Sequence, residues 1–289
     1  MKRLTHFLCL LVFLRLCGPG ATAQQVVRAS GAVSVALPLA EAVNILRTER
    51  NIDLQIRASG GTGMGLDALG DKSANIALSS RELTPVDRSD HPAIQFTEIP
   101  IGIQLVAMAV SRDVWVGGVH SLSASQVRAI YERKITNWSE VGGPNLRIKV
   151  FMNEPGRGQW EIFVQWLYKE IKKAPVWRGA SVKEIQETRN MLEFTPGCFG
   201  LIPPAFADKR NIFPLSVQDD SESPVEPTLA NVLKEKYPLS RPLLLVIDDK
   251  PTGAIKVVVD FATRERGQAI VKQFGYVTLA ELKAARDRQ

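Results

Sequence analysis

Two apolar extended runs, far apart in the chain, restrict its fold more than any other feature. Ile99 to Val110 reads as a strand that crosses from one lobe to another, and Pro242-Leu243-Leu244-Leu245-Val246-Ile247 carries the chain back. Two crossings leave one lobe discontinuous: residues 24–105 with 246–289, and 106–245 inserted as the second. Around these runs strand-like and helix-like segments alternate, which indicates an α/β architecture. Val26–Ala29, Ile52–Ile56, Ile76–Leu78 and Ile148–Met152 read as strands. Leu39, Ala42, Val43 and Leu46 make one face of a helix running to Arg50, and a short helix passes through Leu66 and Leu69. Ser123 with Gln126 three residues later has the pattern of a capping box. Each lobe is thus expected to be a mixed sheet flanked by helices, joined by two hinge strands.

The N-terminus carries an export signal. Lys2 and Arg3 precede a short apolar stretch from Phe7 to Leu16, and Ala21-Thr22-Ala23 supplies small residues for cleavage. Residues 1–23 are expected to be removed on passage to the periplasm. A lipidated Cys17 fits poorly, because Leu16 stands where a small residue is needed. The whole chain has 36 basic and 30 acidic residues; losing Lys2, Arg3 and Arg15 leaves 33 against 30. That slight excess makes no case for a nucleic-acid partner. Cys9 and Cys17 leave with the signal, so Cys198 has no disulfide partner and is expected as a buried structural thiol. No later segment has the length or apolar purity of a membrane helix.

Three turns share one physical logic. Ser30–Ser34, Ser59–Gly65 and Gly156–Gln159 each join a strand to a helix through small, hydroxyl or amide residues. A helix N-terminus offers unpaired N–H groups and the positive end of a dipole, an arrangement that suits an anion. In an open α/β sheet such turns gather at the carboxyl ends of strands. Arg81, just after a strand, and Arg157, within the third turn, are the charged candidates. Each residue taken singly also reads as a surface group. Gly63-Met64-Gly65-Leu66-Asp67-Ala68 satisfies the dinucleotide pattern G-x-G-x-x-A, but the helix pattern after it is short and the chain is exported. Beyond the signal the histidines are His91 and His120, and no H-E-x-x-H, G-x-S-x-G or paired-cysteine motif is present. Neither an enzyme nor a cofactor nor a metal is expected. The acids of Asp219–Glu222 read as a solvated loop, and Trp138, Trp160, Trp166 and Trp177 as packing residues.

Residues 127–143 bring in a resemblance. Arg133-Lys134-Ile135-Thr136-Asn137-Trp138-Ser139-Glu140-Val141-Gly142-Gly143 looks like the "G-K-I-T-N-W-S-E-L-G-G" signature of the phosphate-binding, substrate-binding proteins of bacterial ABC transporters. Tyr237–Pro242, Gly267–Val271 and Gly275-Tyr276 match in the expected order, so the resemblance covers nearly all of residues 26–280. It implies a two-lobed periplasmic-binding-protein fold of type II. It also implies a monomer that holds phosphate or a related oxyanion in the interlobe cleft for a permease in the inner membrane.

Carried over residue by residue, the resemblance implies a site of Ser34, Thr62, Gly63, Ser80, Arg81, Arg157, Gly158 and Gln159. Two departures stand out. Ser80 occupies a position where phosphate binders often place an aspartate, so rejection of a fully ionised anion such as sulfate should be poorer. The family pattern R-E-x-G-S-G-T reads here Asn153-Glu154-Pro155-Gly156-Arg157-Gly158-Gln159. One charge has been lost at position 153 and another gained at 157. Two readings stay open: a receptor in which Arg157 supplies the lost charge, or a retained fold with weakened or lost anion binding, acting as a sensor or interaction module.

Overall fold

The computed structural model describes residues 23–155, 157–218 and 223–288. The export signal up to residue 22, Gly156 and the acidic run 219–222 lie outside the described residues.

The chain opens with β1 (Gln25–Gly31), α1 (Val33–Arg50), β2 (Ile52–Ala58), α2 (Gly61–Gly70), β3 (Ile76–Ser79), α3 (Pro85–Asp90) and β4 (Phe96–Leu105). After one residue it continues through β5 (Ala107–Ser111), α4 (Arg112–Val116), β6 (Ser121–Ser123), α5 (Ala124–Tyr131), β7 (Lys149–Asn153) and α6 (Gly158–Tyr168). Next come β8 (Ala180–Val182), α7 (Ile185–Phe194), β9 (Cys198–Ile202), β10 (Ile212–Pro214), β11 (Ser216–Gln218) and α8 (Leu229–Leu233). The last elements are β12 (Ser240–Asp248), α9 (Gly253–Thr263), α10 (Glu265–Gln273) and α11 (Leu279–Arg286).

Two five-stranded sheets result, ordered β2-β1-β3-β12-β4 and β10-β5-β9-β7-β8, with a small pair β11-β6. In the first, β1 pairs parallel with β2 and β3, while β12 runs antiparallel between β3 and β4. In the second, β7 pairs parallel with β8 and β9, and β5 runs antiparallel to β9 and β10. Each sheet has its own apolar core. Val35, Leu46, Ile76, Leu245 and Val258 are among the buried side chains of the first, and Met108, Val127, Trp138, Phe163 and Phe199 of the second.

The capping box at Ser123 is present: its hydroxyl accepts from the Gln126 N–H, and the Gln126 carboxamide oxygen accepts from the Ser123 N–H. Two helices begin earlier than periodicity suggests. α1 starts at Val33 although Pro38 lies inside it; the proline removes only the hydrogen bond to the Ser34 carbonyl, near the helix start. α2 starts at Gly61, within the glycine-rich run, after Gly60 takes a left-handed conformation at φ 68°. Gly63 and Gly65 therefore lie on a helix, which removes the turn that a dinucleotide fingerprint needs. Gly65 is there for close approach: a methyl would fall 2.6 Å from the Ser30 carbonyl at the end of β1. Cys198 is fully buried, and burial pushes its thiol up to about 12.

The crossings meet at one point. The Val106 N–H donates to the Leu239 carbonyl at 2.9 Å, and the buried Tyr237 hydroxyl donates to the Val106 carbonyl at 2.8 Å. Tyr237→Phe leaves that buried carbonyl without its donor, so the variant should lose about 1–3 kcal/mol of stability. Urea unfolding monitored by circular dichroism checks this, and an unchanged midpoint would show that the bond holds nothing.

Candidate functional site

Strand polarity decides where a ligand can sit. β1, β2, β3 and β4 all end at the side of the first sheet from which the chain leaves for β5. β5 enters the second sheet opposite the ends of β9 and β7, since Ala107 pairs with Ile202. The carboxyl ends of the parallel strands in both sheets therefore face one interlobe cleft, the place where open α/β sheets collect ligands.

That cleft has a volume of about 920 Å³. From the first lobe it is lined by Ala32 and Val33 at the start of α1, by Gly60, Gly61, Thr62 and Gly63 at the start of α2, and by Ser80 and Arg81 after β3. From the second come Glu161, Ile162, Gln165 and Trp166 of α6. Ser240 and Arg241, at the start of β12, lie on the same wall. The first N–H groups of a helix have no acceptor within it, so α1 and α2 bring two sets of free donors to this surface.

The hydroxyls are prepared for a further partner. Thr62 Oγ1 accepts from the Ser80 N–H at 3.2 Å and lies 3.3 Å from Ser79 Oγ, whose own proton goes to the Arg81 carbonyl at 2.5 Å. Ser34, the second residue of α1, is 1 % exposed, and its Oγ has no partner among the described residues. Asn153 Oδ1 at the end of β7 and Gln159 Oε1 at the start of α6 are likewise buried without partners there, as is Trp166 Nε1 on the cleft wall. Buried polar atoms are nearly always paired; of these residues Trp166 lines the cleft, Ser34, Asn153 and Gln159 lie outside its lining, and the Asn153 and Gln159 oxygens are acceptors.

The two arginines anticipated from sequence are placed differently from one another. Arg81 is on the wall, but its charge is already matched: Nη1 and Nη2 donate to the two oxygens of Asp87 at 2.6 and 2.7 Å. Arg157 is the N-cap of α6 and is not among the cleft-lining residues. Its side chain is 38 % exposed and lies 3.9 Å from Glu154.

Gly158 leads to residues that sequence reasoning does not assign to the site. A methyl on Gly158 would lie 2.6 Å from Arg241 Nη2 and 3.0 Å from the Gln104 carboxamide. Arg241 and Gln104 are cross-strand neighbours on β12 and β4, and Arg241 Nε donates to Gln104 Oε1 at 3.0 Å. Arg241 Nη1 reaches across to Glu161 Oε2 of the second lobe at 3.2 Å. Burial opposes the charge on Arg241, and Glu161 offsets part of that effect. In the sequence Arg241 enters only within the matching segment Tyr237–Pro242, with no role of its own. An arginine within an interlobe crossing is the signal that could have found it.

The signature Asn137-Trp138 serves packing instead. Asn137 Oδ1 caps a short 3-10 turn by accepting from the Ser139 N–H at 3.0 Å, and the buried Trp138 Nε1 donates to the Gly197 carbonyl at 3.1 Å. His91 meets Asp67 at 3.2 Å, and neither lines the cleft. Among the described residues there is no group of three or more His, Cys, Asp or Glu placed to hold a metal, and no helix long and apolar enough to cross a membrane.

A family model described as a PBP superfamily domain matches residues 18–266. The chain belongs to the PBP superfamily. PBP superfamily relatives include the phosphate-binding protein PstS of Bacillus subtilis, 24% identical over 268 residues that cover 90% of this chain and 85% of that one. The PstS of Staphylococcus saprophyticus is 25% identical over 285 residues, covering 93% and 86%. Among solved structures, a possible phosphate binding protein from Planctomyces limnophilus superposes with a TM-score of 0.77 at 19% identity, covering 92% of this chain and 98% of that one. An ABC-type phosphate transport receptor from Vibrio cholerae gives 0.68 at 22%, covering 88% and 100%. At these identities the superpositions establish the fold: the two-lobed α/β architecture of this PBP superfamily member is the one its sequence implies.

The Arg81–Asp87 pair has a pH signature. Asp87 also accepts from the N–H and hydroxyl of Thr84, and the Arg81 guanidinium first among these holds its carboxyl well below the usual range. A carboxyl depressed on folding contributes stability above its unfolded value, near 4, and loses it as pH falls toward the folded value. Asp87→Asn should therefore destabilise at pH 7 and progressively less below about pH 4. Thermal melts of both proteins across that range test the sign, and a pH-independent difference would contradict it.

Proposed function

We propose that this chain is an exported receptor that captures inorganic phosphate or a similar tetrahedral oxyanion in the interlobe cleft and passes it to an ABC permease in the inner membrane. The observation that carries this reading is the meeting, at one cleft, of the starts of α1 and α2 and the loop after β3 with α6 of the second lobe and the buried Arg241, whose Nη2 lacks a partner among the described residues. A small anion is the complement of several helix N-termini and hydroxyl donors aimed at one place. The named relatives that bind phosphate support the choice of ligand.

On this reading Ser34, Thr62, Gly63, Ser80, Gly158 and Gln159 surround the ligand, with N–H and O–H groups as donors. Arg81, held by Asp87, stands at the rim. Arg157 contributes through the backbone of its turn rather than through its charge, a role that its placement beside Glu154 supports. The lobe division of 24–105 with 246–289 and 106–245 is retained at its first boundary. The pairing of β12 with β4 from Ser240 onward supports moving the second boundary back toward Leu239. The basic and apolar start of the chain supports periplasmic residence, with the receptor acting as a monomer beside its permease.

Isothermal titration calorimetry on the purified protein tests the proposal with phosphate, arsenate and sulfate in turn. Phosphate and arsenate are expected to bind at micromolar concentrations or below. Heat with none of the three would sink the receptor reading and leave the sensor or interaction module. Sulfate is expected to compete, because Ser80 offers a hydroxyl where an aspartate would repel a fully ionised anion. A strong preference for phosphate that survives competition would contradict that expectation.

A further inference from the structure

The side chain of Arg241 is 12 % exposed and carries a full charge, yet only part of its hydrogen-bonding fork is used. Nε is taken by Gln104 and Nη1 by Glu161, while Nη2 is buried with no partner among the described residues. Leaving a buried guanidinium nitrogen unpaired is unfavourable, because its donors have given up water and received nothing.

Its surroundings show what is missing. Nη2 lies against Gly158, the first residue of α6. The leading N–H groups of that helix are donors at the positive end of its dipole. Donors thus face donors, and neither set can satisfy the other. An anion between them complements both. Other cations are poorly placed to meet it. Arg81 is matched by both oxygens of Asp87, and Arg157 is 38 % exposed beside Glu154. Asn153, where the family pattern has arginine, is neutral. Tyr276, which also senses Arg241, is held as a neutral phenol, since burial pushes it up to about 12.

Resting on the receptor reading, we propose that Arg241 is the charged ligand of the bound oxyanion. Glu161 is its counter-ion from the opposite lobe, which holds the guanidinium across the cleft and opposes the anion's charge. Arg241 presents Nη2 to the ligand, while Gln104 fixes the plane of the fork from β4.

The two partners must then act with opposite sign on affinity. In calorimetry with inorganic phosphate, R241Q is expected to weaken binding by about 10- to 100-fold, the range for one charge-assisted contact. R241K keeps the charge but loses the fork, and is expected to weaken it by about tenfold. E161Q is expected to tighten binding several-fold, because it removes a negative charge facing the ligand. A pair that merely clasped the lobes together would give losses of the same direction from both sides. Weakening by E161Q, or no change in R241Q and R241K, would overturn the inference and leave the receptor reading standing. No binding by the unaltered protein would overturn both. If R241Q fails to fold, as judged by circular dichroism, R241K and E161Q decide by the same opposition of sign.

Discussion

The structure turns on the meeting of its two crossings. A chain that leaves a sheet and later re-enters it has to bring both crossing segments to one place, or the inserted lobe would hang from two separate tethers. Here Val106, the single residue between β4 and β5, pairs with Leu239, and the Tyr237 hydroxyl caps the Val106 carbonyl. These bonds satisfy both backbone groups of a residue that belongs to neither sheet, at a fully buried position. Everything functional follows from that junction. It sets the carboxyl ends of β1 to β3 against those of β7 and β9, and it brings the first residues of β12 beside α6.

Electrostatics in the cleft then follow from backbone geometry. Helices that start at strand ends point their N-termini into the space between the lobes and bring backbone donors to this surface. Glu161 is the carboxylate on the wall that meets Arg241, and a single Glu161 oxygen takes one nitrogen of the fork. The other first-lobe cation, Arg81, is held apart by a carboxylate of its own lobe, which also binds the N-cap Thr84. Two arginines lining one cleft thus have different parts: one orders the loop after β3, the other spans the lobes.

Much of the fold was legible because its signals are local. The alternation of apolar strands with helical faces gave the α/β class, and Ser123 and Gln126 gave a capping box; the run Pro242–Ile247, read as a crossing, lies wholly within β12 of the first sheet. Helix starts were less legible. Pro38 and the Ser59–Gly65 run both read as breaks, yet a proline near a helix start sacrifices one bond, and Gly60 supplied the turn that a run of glycines had suggested for all seven residues. The site was half legible. Thr62, Gly63, Ser80 and Arg81 line the cleft, whereas Ser34, Arg157, Gly158 and Gln159 lie outside its lining. Arg241 was hidden because its partners, Gln104 and Glu161, are 137 and 80 residues away along the chain. No local window contains them.

That hidden residue bears on how the chain departs from its relatives' pattern. An arginine at position 153 would stand at the end of β7, in the second lobe, and carry its charge to the ligand from there. With Asn153 in its place, the proposed cation comes from β12, at the base of the first lobe and just past the crossing. A charge rooted beside the hinge and tied to α6 through Glu161 reports on the angle between the lobes as well as on the ligand. Separation of α6 from β12 would break the Glu161 contact and leave Arg241 with Gln104 alone. An anion seated at the start of α6 replaces that lost attraction from the other side of the guanidinium. On the proposal that Arg241 binds the anion, occupancy and lobe closure act on the same side chain.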